Sequence, residues 1–194
     1  MLAIALLIPL AWLLGTFPSA GLVARARGVD IAGEGSGNPG ASNVARLLGW
    51  KYGALVLLAD FAKGALATGV GLAIDGRPGA YVLGAAAVIG HTFPLYRKGG
   101  KGVATAGGML TVLFPWISLG LFLVWVIVSR VANKASLASL LITVLFPLCV
   151  AISGYDLWEV AVTGGLAILI IVRHTANIRR LLGRSEIDLT AGPS

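Results

Sequence analysis

Six apolar runs, at about 2–24, 52–74, 79–96, 102–129, 136–153 and 157–172, constrain this 194-residue chain more than any other feature. Several reach the ~17–25 residues that a helix needs to cross a bilayer. Nothing alternates with the period of a lipid-facing strand, so the spans read as helices and a β-barrel is excluded. Only 12% of residues are charged and 57% are hydrophobic, with mean hydropathy +0.90. A soluble domain carries about twice that charge fraction. The expectation is an all-α polytopic membrane protein, with residues 1–194 forming one domain. The first run lacks a basic leader and is expected to be a retained span. The polar tail after about Leu182 is expected to fray.

The run 102–129 is long, and Phe114-Pro115 interrupts it near its middle, where a proline ends or kinks a helix. Loop charges decide how to count it. With two short helices joined at this break, thirteen of the fifteen Lys and Arg residues fall on one side. Without the break, the 130–134 loop and the C-terminal tail carry six cations to the other side. Cytoplasmic loops are the basic ones, which selects seven helices, N-terminus out and C-terminus in. The same rule explains the net charge of +7 without nucleic acid. Cys149 is the single cysteine and reads as a packing residue.

Three inward-facing segments are more polar and glycine-rich than a connection requires. In the first, Gly35, Gly37 and Gly40 form GxGxxG, yet no strand precedes them and Asp60 lies in an apolar helix, so the dinucleotide-fold reading fails. The physics of the glycines still applies, since they let backbone N–H groups converge on an anion. Ser42 and Asn43 add donors, and Arg46 is placed for a bidentate phosphate contact. A plain re-entrant loop stays open on this segment alone.

The second segment, Gly99-Gly100-Lys101-Gly102, opens a short helix, whose N-terminus beside a lysine suits a phosphate. It lacks the spacing of a nucleotide-binding P-loop, and Lys101 alone equally suits an interfacial anchor. In the third, His174 and Asn177 share a helix face at i, i+3. His91 reads equally as a packing or a functional histidine. Asp60 and Lys63, at i, i+3 within a span, read as a structural ion pair or as a contact to a substrate loop. No HxxxxD pair, HExxH, carboxylate cluster or nucleophile elbow is present, so neither metal nor other cofactor is expected.

The stretches GSGNPGASNVAR, GHTFP with GGKGVAT, and RHTANIRRLLGRSE resemble the signature motifs of the bacterial acyl-phosphate:glycerol-3-phosphate acyltransferases. Asp60-Phe61-Ala62-Lys63-Gly64 and Ser136-Leu137-Ala138-Ser139 add to the likeness, and Ser42 stands where the family has Thr. The resemblance implies an enzyme of the bacterial cytoplasmic (inner) membrane, with its site on the cytoplasmic face. Its substrates would be an acyl phosphate and glycerol 3-phosphate, and its products lysophosphatidic acid and phosphate. It implies catalytic roles for Ser36, Arg46, Lys101, His174 and Asn177. Substrate would be bound by Gly35, Gly37, Asn38, Gly40, Ser42, Asn43, Gly100, Gly102 and Ser139. Either His174 or a substrate phosphate would serve as base. The expected surroundings are membrane lipid about a monomer. A transporter for an organic phosphate is the competing class, but it should show repeats and midplane polar residues.

Overall fold

The computed structural model describes residues 2–95 and 97–190, and every regular element among them is a helix. They run α1 Leu2–Gly15, α2 Ser19–Arg25, α3 Ala41–Leu48, α4 Trp50–Thr92, α5 Val103–Leu113, α6 Pro115–Val131, α7 Ala135–Ile152, α8 Leu157–Arg173 and α9 Thr175–Leu182. The chain divides into two compact units, one holding α1 to α5 and the other α6 to α9, with the boundary after Leu113.

In the first unit, glycines let backbones meet. Gly15 packs on the Ala87 carbonyl and Gly90 on the Trp12 carbonyl, seating α1 against the end of α4. Gly64 meets the Thr105 carbonyl while Gly108 meets that of Phe61, which does the same for α4 and α5. Without a hydrophobic drive between helices in lipid, such close backbone approach is what joins them. The 43-residue α4 is itself folded back. Asp75 and Gly76 leave helical torsions, Gly76 at φ 64°. Gly71 then packs on Gly79, and Gly84 on Thr68, as in an antiparallel pair.

In the second unit, Pro115 starts α6 after Phe114, whose torsions are non-helical. The Phe114 ring is almost fully buried and packs edge-on to Phe146 and Tyr155, with centroids 5.8 and 4.8 Å away. The tail does not fray over residues 183–190. Leu189 N donates to Asn133 O at 2.7 Å, Lys134 Nζ pairs with Asp188 at 2.7 Å, and Asn133 bonds Thr190. These partners satisfy backbone that a free tail would leave to water.

Large apolar side chains face outward on both units, among them Leu6, Leu10 and Leu58, then Trp116, Ile152 and Leu157. A water-soluble protein rarely shows such contiguous apolar surface. By length and composition, Leu2–Arg25, Trp50–Thr92 and Ala135–Ile152 can cross a membrane. The bent pair Leu157–Arg173 and Thr175–Leu182 gives a fourth. That is fewer than the seven expected from loop charge. The long α4 counts once despite its fold at Gly76, and α5 and α6 have only 11 and 17 residues.

Candidate active site

The glycine-rich segment of the first unit is a closed loop rather than a slack one. Gly35 and Gly37 both have positive φ, near 60°, which only glycine adopts cheaply. Between them Ser36 N donates to Asn43 Oδ1 at 2.9 Å, and Asn43 Nδ2 donates to Glu34 O at 3.1 Å. Asn43 is almost fully buried, and both ends of its amide bond the loop. A Cβ at Gly35 would collide with Asn43 Oδ1. One buried side chain therefore clamps the turn that carries Ser36. Gly40 then caps α3, so the first-turn amides around Ser42 lie at a helix N-terminus. Ser36, Asn38, Ser42, Arg46 and Lys101 are half-buried.

Two residues here, Lys98 and Gly99, were not among the expected site residues. Lys98 Nζ lies 3.6 Å from where a Gly37 Cβ would stand, which places a further ammonium on the loop. Gly99 and Gly100 are buried, and Gly100 N donates to His91 O at 3.1 Å. Gly102, at φ 87°, starts α5 and fixes the exit from the second glycine segment.

The second unit holds a different kind of assembly. His174 sits at the bend between α8 and α9, 2% exposed, with Nδ1 2.8 Å from Ile170 O. A carbonyl only accepts, so Nδ1 carries a proton, and in the uncharged ring Nε2 is then the acceptor nitrogen. Asn177 is also buried, and its Nδ2 donates to Glu186 Oε1 at 2.6 Å. The carboxylate cannot donate, which fixes the amide's orientation and leaves Asn177 Oδ1 as a buried acceptor with no donor among the described residues. Ser136 Oγ donates to the same Glu186 oxygen at 2.7 Å, and Arg180 Nε to the other at 2.8 Å. Burial pushes the Glu186 carboxyl upward, but these three donors outweigh it and hold it below its ordinary value. Ser139 is buried, and its Oγ accepts from Trp125 Nε1 at 3.0 Å.

Glu186 was not singled out from the sequence, although it closes the third motif. The signal was there: an acid that follows a run of arginines needs partners, and Arg180 lies six residues before it.

The fold is that of an integral membrane enzyme. Over 96% of the chain it is similar to a crystal structure of PlsY (YgiH), an integral membrane glycerol 3-phosphate acyltransferase, in its glycerol 3-phosphate form. The TM-score is 0.91 at 37% identity, with 95% of that chain covered. The lysophosphatidic acid form of the same protein gives 0.89, with the same identity and coverage. A family model described as glycerol-3-phosphate acyltransferase matches residues 5–184. The glycerol-3-phosphate acyltransferase of Bacillus subtilis (strain 168) is 39% identical over 188 residues, covering 94% of this chain and 96% of the relative. That of Aquifex aeolicus (strain VF5) is 41% identical over 185 residues, covering 93% and 96%. The chain belongs to the glycerol-3-phosphate acyltransferase family.

Proposed function

We propose that this enzyme transfers a fatty acyl group from an acyl phosphate to the 1-hydroxyl of glycerol 3-phosphate, the first acylation of phospholipid synthesis. The observation that carries the acceptor is the match, over nearly the whole chain, to a structure whose two forms are named for glycerol 3-phosphate and lysophosphatidic acid. The donor is argued from the clamped glycine loop of the first unit, with Lys98 against it and Arg46 on the helix that follows. Those groups suit a leaving group that is itself a phosphate.

An acyl phosphate is a mixed anhydride, so no covalent acyl-enzyme is needed. The acceptor oxygen attacks the carbonyl carbon, the bond from that carbon to the bridging phosphate oxygen breaks, and inorganic phosphate departs with that oxygen. The Ser36 loop, with Gly35, Gly37, Asn38, Gly40 and Ser42, receives that phosphate, while Arg46 and Lys101 offset its charge. Asn43 acts through the loop it clamps. Gly100 and Gly102 set the backbone about Lys101. His174 and Asn177 present an acceptor nitrogen and an acceptor oxygen to the glycerol hydroxyls, steered by Glu186, with Ser139 as a further hydroxyl. The proton of the attacking hydroxyl passes either to His174 Nε2 or to a phosphate oxygen. His174→Asn separates these routes. Lost turnover would assign the proton to the ring, and retained turnover with an unchanged acid limb would assign it to phosphate.

The setting proposed is one domain over 1–194, a monomer in the bacterial inner membrane. It has seven helices, N-terminus out and C-terminus in, with catalysis at the cytoplasmic face. The fold-back at Gly76 and the break at Phe114 support the larger helix count. Purified protein given glycerol 3-phosphate and palmitoyl phosphate should yield lysophosphatidic acid and phosphate without added metal. Palmitoyl-CoA turned over at a comparable rate would remove the donor assignment.

A further inference from the structure

The first unit buries a charge cluster that the proposed chemistry does not use. Asp60 and Lys63, on the first half of α4, lie 2.8 Å apart and are almost fully buried. Ser19 Oγ donates a short hydrogen bond to Asp60 Oδ1, and Lys63 Nζ donates to Phe17 O at 3.1 Å. Both Phe17 and Ser19 lie at the break between α1 and α2. A buried ion pair this well satisfied is expensive to assemble and holds its surroundings to one geometry.

The cluster reaches one group further. His91, at the other end of α4, places Nδ1 3.7 Å from the same Asp60 oxygen. That distance is too long for a formed hydrogen bond but short enough for the carboxylate's field to orient a ring that is nine-tenths buried. The opposite edge of the ring faces the second glycine segment. A Cβ on Gly100 would fall onto His91 Nε2, and Gly100 N donates to the His91 carbonyl. Gly90, just before His91, is seated on the Trp12 carbonyl, so the residue is held from its backbone as well.

Beyond Gly99 and Gly100 lies open space. A cavity of about 470 Å³ is lined by these two glycines together with Ser19, His91, Arg97 and Lys98. Packing alone therefore does not trap the segment on that side. If the ring edge were removed, the glycines would have room to move, and Lys101 follows Gly100 directly.

We propose that His91 is a positioning residue. Oriented by the Asp60–Lys63–Ser19 cluster, its ring sets the height of the Gly99–Gly102 backbone and so places the Lys101 ammonium. The proposal rests on the reading of Lys101 as a phosphate-binding group. It gives the buried ion pair a purpose: the pair anchors a side chain that lies against Gly100.

The test is a double-mutant cycle in purified enzyme, read by steady-state kinetics, inhibition by inorganic phosphate and thermal melting. His91→Asn keeps a donor on the Asp60 side but withdraws the ring edge from Gly100. It should lower kcat/KM by about 10²-fold, the effect of a misplacement near 1 Å. Inhibition by inorganic phosphate should weaken with it. In a Lys101→Met background the same substitution should cost less than about threefold, since the group it positions is gone. His91→Gln, whose longer amide reaches toward Gly100, should recover most of the activity. Should His91→Asn not fold, the cycle is read with His91→Gln, whose smaller loss should likewise vanish in the Lys101→Met background.

Additive losses in the cycle, or equal impairment by Asn and Gln, would overturn the positioning role while leaving the phosphate reading intact. Near-normal turnover in Lys101→Met alone would sink the phosphate reading, and the proposal with it.

Discussion

The two units place functional groups by opposite means. The Gly35–Asn43 loop of the first is built from backbone: two glycines at positive φ, a helix start, and one buried asparagine that bonds both Glu34 O and Ser36 N. The Asn177 cluster of the second is built from side chains, with one carboxylate accepting from Ser136, Asn177 and Arg180. The difference matches the work assigned to each. A phosphate presents several equivalent oxygens, and many weak backbone donors suit it. A single hydroxyl needs one acceptor held in one orientation, and an acceptor-only carboxylate behind an amide provides that.

The comparison breaks most easily at the cations. Arg46→Ala and Lys101→Met should each lower turnover by about 10²–10³-fold, the usual cost of losing a contact to charge that develops in the transition state. Melting temperature should move little, because both side chains are only half-buried. Either variant retaining more than about a third of wild-type turnover would show that the first unit does not hold the phosphate through that residue.

The second unit should respond in the opposite way. Glu186→Ala leaves three buried or half-buried donors without their acceptor and should destabilise the protein by on the order of 3 kcal/mol. Activity and melting temperature should fall together. A Glu186→Ala protein that melts normally would mean the carboxylate does not organise Asn177 or its neighbours.

Next in size is Asn43→Ala, which removes two partly buried hydrogen bonds and should cost about 1–3 kcal/mol. Here the signature is kinetic as well, because Gly35 and Ser36 lose their clamp. Product inhibition by phosphate should weaken in step with turnover. Loss of stability with unchanged phosphate inhibition would separate Asn43 from the loop's function.

The smallest effect is a pH dependence. The folded pKa of Glu186 is depressed, so the folded state favours its ionised form. The stability this contributes is present above the ordinary carboxyl value of 4.5 and is lost as pH falls through the lower folded value. Melting curves should therefore drop on the acid side, and Glu186→Gln should flatten that limb. An identical limb in the Gln variant would assign acid sensitivity elsewhere.

How legible each region was in the sequence follows from the same difference. A backbone cradle leaves a mark on composition in Gly35, Gly37 and Gly40 beside Arg46, although a plain re-entrant loop fits that segment alone as well. Sequence cannot say which way a loop amide faces, however, so Asn43 was grouped with substrate donors although both its polar atoms bond the loop. The side-chain cluster was only half visible. His174 and Asn177 share a helix face, but Glu186 stands in a polar tail with no periodicity, and its partners come from two other segments. That tail was expected to fray for the same reason. The helix count was read from loop charge, and the fold-back at Gly76 falls in the polar gap between the runs 52–74 and 79–96.

The account stands on the division of labour between the two units, and phosphate binding tests it most directly. Inorganic phosphate, the proposed leaving product, should be titrated into wild type, Arg46→Ala and Asn177→Ala, with binding read by calorimetry in detergent. Arg46→Ala should weaken phosphate binding at least tenfold, a loss of about 1.4 kcal/mol, while Asn177→Ala should bind as wild type does. Equal weakening in both, or none in Arg46→Ala, would contradict a phosphate cradle built by the first unit.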